Sequence, residues 1–114
     1  MRRELLEAKV KEILGEGPRE VLELEVGDSK SIIISTSSYE LTFRCNREGR
    51  CEVMLRYADN PAVTCTTRCY EDPTSNLDRG LLEELKARVE TLIGSLGGEA
   101  VKPGGSRLGS RFKV

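Results

Sequence analysis

Four cysteines offer the clearest chemistry in this chain of 114 residues: Cys45, Cys51, Cys65 and Cys69. Their spacing, C-x5-C-x13-C-x3-C, has neither the C-x2–4-C knuckles of structural zinc sites nor the C-x-x-C of thiol oxidoreductases. Disulfides, buried thiols and a metal site are all compatible with the residues. Disulfides are the favoured interpretation, because closing short loops stabilises a protein whose core is small.

The chain contains no histidine, so Ser-His and Cys-His nucleophilic sites and histidine-bound metals are excluded. Three carboxylates in predicted loops, Asp59, Glu71 and Asp72, could act as acids or metal ligands. They form no paired constellation, however, and loop carboxylates are usually solvated. We therefore expect a protein that is not an enzyme and that needs no cofactor or metal.

The composition resembles that of hyperthermophilic proteins. Arginine outnumbers lysine by twelve to six, glutamine is absent and 32% of the residues are charged. In hyperthermophiles ion-pair networks are effective and intracellular disulfides occur. No apolar run approaches the roughly 18 residues of a membrane span, and no signal-type segment follows Met1. We expect a cytoplasmic protein that carries disulfides and does not associate with membranes.

Hydrophobic periodicity predicts an α+β fold, in which an antiparallel four- to five-stranded meander is flanked by an N-terminal helix and a longer C-terminal amphipathic helix. Helical spacing covers residues 4–14 and about 77–96. Residues 1–98 are expected to form one domain, and 99–114 a basic, glycine-rich tail. Alternation with a period of two predicts strands over 20–26, 31–36, 41–45, 51–57 and 63–69.

Details of the meander follow from its turns. Leu22, Leu24 and Val26 alternate with Val21, Glu23 and Glu25, which predicts a half-buried first strand. The segment Ser37-Ser38 fits either a tight turn or a bulge within one long strand. A loop over 46–50 places Cys45 opposite Cys51. A similar loop over 58–62 would place Tyr57 opposite Val63 and Cys51 level with Cys69, so that three cysteines share one cross-strand row.

The C-terminal helix carries a seam of apolar residues at steps of three and four, the spacing of heptad a and d positions. The seam consists of Leu82, Leu85, Val89, Leu92 and Leu96. Packing of the helix on its own sheet explains this spacing as well as packing on a partner helix does. We expect a homo-oligomer, a dimer or a tetramer, because domains of this size often gain stability by association.

The even-numbered face of the later strands is rich in side chains that suit single-stranded nucleic acid. Arginines there can hold phosphates, and bases can stack on flat side chains. The candidate residues on this face and its loops are Arg44, Arg47, Arg50, Met54, Arg56, Arg68 and Tyr70. A cross-strand salt ladder is the alternative, with Glu52 between Arg44 and Arg68, and Glu40 opposite Arg56.

The net charge of −1 conceals segregation, since the two predicted helices are acidic while the later strands and the tail are basic. Residues 102–114 carry four basic and no acidic groups. Such a segment can follow a phosphate backbone and stack one ring, although a solubilising end is the alternative. The tail candidates are Arg107, Arg111, Phe112 and Lys113.

The whole layout resembles the ThermoDBP-related single-stranded DNA-binding proteins of hyperthermophilic archaea. The likeness rests on the amphipathic first helix with Leu6, Val10 and Ile13, the zipper-like helix over 82–96, and the residues of the meander, Arg44, Arg56, Arg68 and Tyr70. The resemblance implies single-stranded DNA binding by the helix-plus-sheet domain and oligomers formed through C-terminal elements.

Two functions from different classes follow. The leading hypothesis is a non-enzymatic, largely sequence-independent protein that binds single-stranded DNA, or RNA, as a homo-oligomer. The alternative is a protein–protein interaction module that uses the zipper-like helix or an open sheet edge and binds no nucleic acid.

Overall fold

The computed structural model describes residues 3–96, which form two helices and six strands. The strands make one antiparallel sheet in sequence order, a meander. The α+β class is therefore confirmed, with six strands instead of four or five. The elements are α1 (Arg3–Leu14), β1 (Glu20–Val26), β2 (Ser29–Ser35), β3 (Tyr39–Asn46), β4 (Cys51–Tyr57), β5 (Asn60–Cys65), β6 (Cys69–Glu71) and α2 (Arg79–Ser95).

One face of the sheet and both helices share a single apolar core. We call this side of the sheet the core face, and the opposite side, which neither described helix covers, the open face. Side chains alternate between the two faces, so the core face of β3 and β4 takes the odd-numbered residues. The largest fully buried side chains are Phe43, Leu6, Ile34, Leu41, Leu55, Leu85, Leu92, Val10, Val53, Val63 and Val89.

Helix α2 begins where Asp78 caps it, accepting hydrogen bonds from the backbone N–H groups of Gly80 and Leu81 at 3.0 and 3.3 Å. The predicted seam of this helix lies in the core of its own subunit. Exposed fractions of at most 7% leave these side chains no surface for a partner helix, so packing on its own domain accounts for the spacing. The five residues are Leu82, Leu85, Val89, Leu92 and Leu96.

Strand β1 departs from the prediction of a half-buried strand, because six of its seven residues are exposed. The turn at 27–28 pairs Val21 with Ile34, so Val21 shares the core face with that buried isoleucine. The intervening residues must then point the other way. Leu22, Leu24 and Val26 consequently lie on the open face, exposed by 45%, 45% and 73%.

The predicted strand over 63–69 is wrong, because the chain reverses within it. Strand β5 ends at Cys65, a three-residue connection follows, and β6 begins at Cys69, paired directly with Cys65. This hairpin supplies the sixth strand. The open question at Ser37-Ser38 is also answered: these residues form a tight turn, in which the N–H of Thr36 donates to the carbonyl of Tyr39 at 2.9 Å.

The β4–β5 connection is shorter than predicted. Only Ala58 and Asp59 lie between the strands, and both have positive φ values, 50° and 66°. This backbone geometry is typical of a two-residue type I′ hairpin turn, which usually contains glycine or asparagine. Asn60-Pro61 suggests a turn in the sequence but begins β5, where the pairing is shifted beside Arg56. The predicted pairing of Tyr57 with Val63 is therefore wrong, and Tyr57 pairs with Asn60.

We expect Ala58→Gly to raise the free energy of unfolding by about 1 kcal/mol, because a left-handed backbone strains a residue with a β-carbon. Urea denaturation followed by circular dichroism measures the change. Glu48→Gly is the matched control, since Glu48 also lies in a hairpin connection but its φ is not positive. A similar gain in both variants would contradict the strain argument.

Glu16 fastens the end of α1 to the β2–β3 turn. Its Oε1 accepts hydrogen bonds from the Thr36 hydroxyl at 2.7 Å and from the Ser38 N–H at 2.9 Å. The Thr36 bond, followed by the Ser38 bond, lowers the pKa of the Glu16 carboxyl below its ordinary value. Ionised Glu16 therefore favours the folded state.

This linkage predicts an acid-dependent stability. We expect Glu16→Gln to lower the free energy of unfolding by about 1 kcal/mol at pH 7, since a neutral amide oxygen accepts the same two hydrogen bonds more weakly than the carboxylate does. The deficit persists above the ordinary glutamate pKa of about 4.3 and closes as pH falls through the lower folded-state pKa. Denaturation curves between pH 7 and pH 3 measure it. The exposed Glu90→Gln control should show no such closing gap.

Candidate nucleic-acid interface

The open face displays the predicted strand residues together. Arg44 and Arg56 are exposed on β3 and β4, Met54 is half-buried between them, and Tyr70 on β6 is 52% exposed. Strand pairing aligns one continuous row across the sheet, because directly paired residues project to the same face. From β1 to β6 the row is Leu22, Ile33, Thr42, Met54, Thr64 and Tyr70.

Three further predicted arginines lie at one end of the sheet. Arg47 and Arg50 are in the connection between β3 and β4, and Arg68 is in the connection between β5 and β6. Strands β3 and β5 run in the same direction, so both connections lie at the same end. All three are exposed, and their side chains make no ion pair or hydrogen bond with any other residue of 3–96. This end therefore presents three guanidinium groups without carboxylate partners among the described residues.

The predicted salt ladder is present only in part. Arg44 pairs with Glu52, its Nε donating to Oε1 at 3.0 Å. Glu40 faces Arg56 in the pairing, but a guanidinium nitrogen of Arg56 donates instead to the backbone carbonyl of Asp59 at 2.6 Å. The predicted position of Glu52 between Arg44 and Arg68 is wrong, because Arg68 lies beyond the end of β5.

Two disulfides close the two arginine-bearing connections. Cys45–Cys51 spans the loop of Arg47 and Arg50, with its Cα atoms 4.0 Å apart. The second bond spans the loop of Arg68, with a Cα–Cα distance of 3.9 Å, and joins Cys65 to Cys69. The predicted disulfides and the pairing of Cys45 with Cys51 are confirmed. No free thiol remains among the four cysteines, so short covalent loops hold these arginines.

The predicted cross-strand row of three cysteines is wrong. Cys65 pairs with Val53, two positions away from the predicted Leu55, because the β4–β5 turn is two residues long and the pairing shifts by one residue between Leu55 and Arg56. Leu55 pairs instead with Val63. The two disulfides therefore occupy separate hairpin ends. Within residues 3–96, no group of three or more metal-ligating side chains is present.

The tail candidates Arg107, Arg111, Phe112 and Lys113 lie outside the described residues. Sequence reasoning also missed the aliphatic part of the open face, which consists of Leu22, Leu24, Val26 and Ile33. The available signal was the two-residue turn at 27–28, whose Gly27 has a φ of +61°. Such a short hairpin fixes which residues of β1 and β2 share a face.

Comparison with models of protein families, with curated proteins and with solved structures finds no match to this chain. Neither α1 nor α2, the two helices described, is long and apolar enough to cross a membrane.

Each disulfide should contribute about 2 kcal/mol to the free energy of unfolding, since each closes a loop of only a few residues. We expect the double variant Cys65→Ser/Cys69→Ser to lose this amount in urea denaturation, and Cys45→Ser/Cys51→Ser to lose a similar amount. Adding a reductant should destabilise the wild-type protein, and should affect each double variant by about half as much. If the free energy of unfolding of the wild-type protein did not change on reduction, neither disulfide would contribute the expected stability.

Proposed function

We propose that the protein binds single-stranded DNA, without enzymatic activity and with little sequence preference, through the open face and the arginine loops beside it. The observation that carries the proposal is the combination of an exposed Tyr70 and two arginines on the open face with three arginines in the connections at one end of the sheet. Four of these arginines have no carboxylate partner in the described part of the chain, and the three in the loops make no side-chain hydrogen bond there either, so their charge is available to a polyanion.

The row across the open face suits bases. Tyr70 offers a ring for stacking, Met54 offers a polarizable surface, and the hydroxyls of Thr42 and Thr64 offer hydrogen bonds. Stacking on such side chains contributes about 1–3 kcal/mol per base and tolerates any sequence. Phosphates would contact the guanidinium groups of Arg44 and Arg56, which flank this row on the two central strands.

The distribution of charge also favours binding of a polyanion at the open face rather than at the core face. Helices α1 and α2 lie on the core face, and their exposed carboxylates include Glu4, Glu12, Glu83 and Glu90. The arginine loops lie at one end of the sheet instead. Because salt screens charges beyond about 8 Å at physiological ionic strength, a phosphate at the open face responds mainly to nearby arginines. The net charge of −1 is therefore compatible with local attraction.

We further propose that the protein acts as a homo-oligomer. A single face offers few cations, and joining two faces makes the second binding event intramolecular, which raises the overall affinity. The resemblance to ThermoDBP-related proteins points in the same direction. The alternative, a protein-interaction module, would now use the sheet edge at β1, since the seam of α2 is buried.

Fluorescence anisotropy with an oligothymidine tests the proposal, and matched RNA and duplex DNA show which nucleic acid is preferred. If about four cations per subunit neutralise phosphates, log K should fall with log salt concentration at a slope near −3. Tyr70→Ala should weaken binding by about tenfold, because one stacking platform is lost. Arg68→Ala should weaken binding and make the salt slope shallower by about 0.7.

Arg79→Ala is the matched control for Arg68→Ala. Arg79 is exposed and has no ion pair within the described chain, but it begins α2 rather than a loop beside the open face. Its substitution should leave affinity unchanged. A triple variant with Arg107, Arg111 and Lys113 changed to Ala measures the contribution of the tail. An affinity that does not change with salt concentration would refute the proposed site. An equal loss of affinity in Arg68→Ala and Arg79→Ala would do so as well.

A further inference from the structure

The two edges of the sheet differ in how they are protected. Strand β6 is only three residues long, and short edge strands resist pairing with another chain. Strand β1 is seven residues long and is paired to β2 without a register shift. Its outward backbone groups have no hydrogen-bonding partner within residues 3–96. Strand β1 is therefore a regular edge that can accept another strand.

Three of the four β1 side chains on the open face, all except that of Glu20, are apolar where a protected edge would carry charge. Leu22, Leu24 and Val26 are exposed by 45%, 45% and 73%. Proteins usually protect an exposed edge with charge, proline or a bulge; β1 contains no lysine, proline or bulge, and its only charges are the carboxylates of Glu20, Glu23 and Glu25. Apart from Tyr70, these three are the large hydrophobic residues exposed in the described structure. A partner strand would remove them from water.

On the core face, the carboxylates of β1 already have cations from their own chain. Glu23 accepts a hydrogen bond from a guanidinium nitrogen of Arg3 at 3.0 Å. Glu25 lies 3.6 Å from the ammonium nitrogen of Lys30. Neutralisation within each subunit reduces the repulsion that would otherwise oppose bringing two such strands together.

We propose that β1 pairs antiparallel with β1 of a second copy, giving a two-fold dimer with a continuous twelve-stranded sheet. Two-fold symmetry requires one residue to lie opposite its own copy, so even-numbered residues always face even-numbered ones. Full overlap of the seven residues puts Glu23 at the two-fold axis and Leu22 opposite Leu24. Four leucines then meet on the open face, and the two Glu23 carboxylates are each held by Arg3.

The symmetry itself argues for a second copy as the occupant. With Glu23 at the axis, the leucines of β1 lie opposite the leucines of its copy and Val26 lies opposite Glu20, whereas a different strand would need its own matching pattern. The dimer also joins the open faces of two subunits side by side. The pairing rests on the homo-oligomer of the proposed function but not on nucleic-acid binding, so its test contains no DNA and its failure is distinguishable from failure to bind DNA.

Sedimentation equilibrium of the full chain tests the dimer over a range of concentrations. We expect a dimer that Leu24→Lys weakens by about 100-fold or more, because two ammonium groups would be placed among leucines. Leu24 is exposed in the subunit, so the variant should fold, which circular dichroism checks. Tyr70→Lys is the matched control: it adds the same charge to the same face at the other edge strand, and it should leave the dimer intact.

A single added cysteine tests the strand alignment independently, since the four native cysteines are paired in disulfides. Glu23→Cys should cross-link two subunits under mild oxidation, because directly opposed residues on antiparallel strands lie within disulfide reach. Val26→Cys, three residues away, should not.

A monomer at every concentration would overturn the proposal. So would a dimer that Leu24→Lys leaves intact or that Tyr70→Lys also dissociates, or cross-linking through Val26→Cys in preference to Glu23→Cys.

Discussion

The pairing register of the six strands is the constraint on which the rest of the structure depends. Because successive side chains point to opposite faces, register assigns every strand residue either to the core with α1 and α2 or to the open face. Phe43 and Leu55 are buried, and Arg44 and Arg56 exposed, for this reason alone. Two-residue turns set the register at 27–28, 37–38 and 58–59, so short segments control the chemistry of both surfaces.

The disulfides place covalent bonds at two hairpin ends, one half-buried and the other, Cys65–Cys69, within the apolar core. Cys45 and Cys51 close one hairpin end, and Cys65 and Cys69 close another at the same end of the sheet. Loops of like-charged arginines would repel one another and would gain little from packing. Covalent closure limits their freedom without carboxylates to balance them, since the three loop guanidinium groups have no ion pair within residues 3–96.

Strand β1 shows a conflict between local pattern and overall fold, and such conflicts concentrate at functional surfaces. Its leucines face water although its alternation is typical of a half-buried strand, and Glu23 and Glu25 lie on the same side as the core. The ion pairs of Glu23 with Arg3 and of Glu25 with Lys30 stabilise this arrangement in the single subunit. Two-fold pairing of β1 would resolve the conflict by covering Leu22 and Leu24.

Helical spacing in the sequence correctly predicted the two helices. Alternation with a period of two correctly predicted the antiparallel meander and the exposure of Arg44, Arg56 and Tyr70. The short loop after β3 correctly placed Cys45 opposite Cys51. These features depend on local periodicity and on one short hairpin, which neighbouring residues encode. The seam of α2 was ambiguous, because the same spacing serves an internal core and a partner helix.

Tertiary structure alone decided the features that depend on the register between separate strands. Ala58 and Asp59 form a tight turn with positive φ values. The dipeptide Ala-Asp is not a typical signal for such a turn, and Asn60-Pro61 suggests a turn later in the chain. The register predicted for β5 was therefore wrong by two residues. That register had placed Arg68 beside Glu52 and Cys69 beside Cys51, which the structure keeps apart. Likewise, alternation alone could not assign the leucines of β1 to the open face, because it defines two sides of a strand without saying which one the helices cover; the pairing of β1 with β2 decides this.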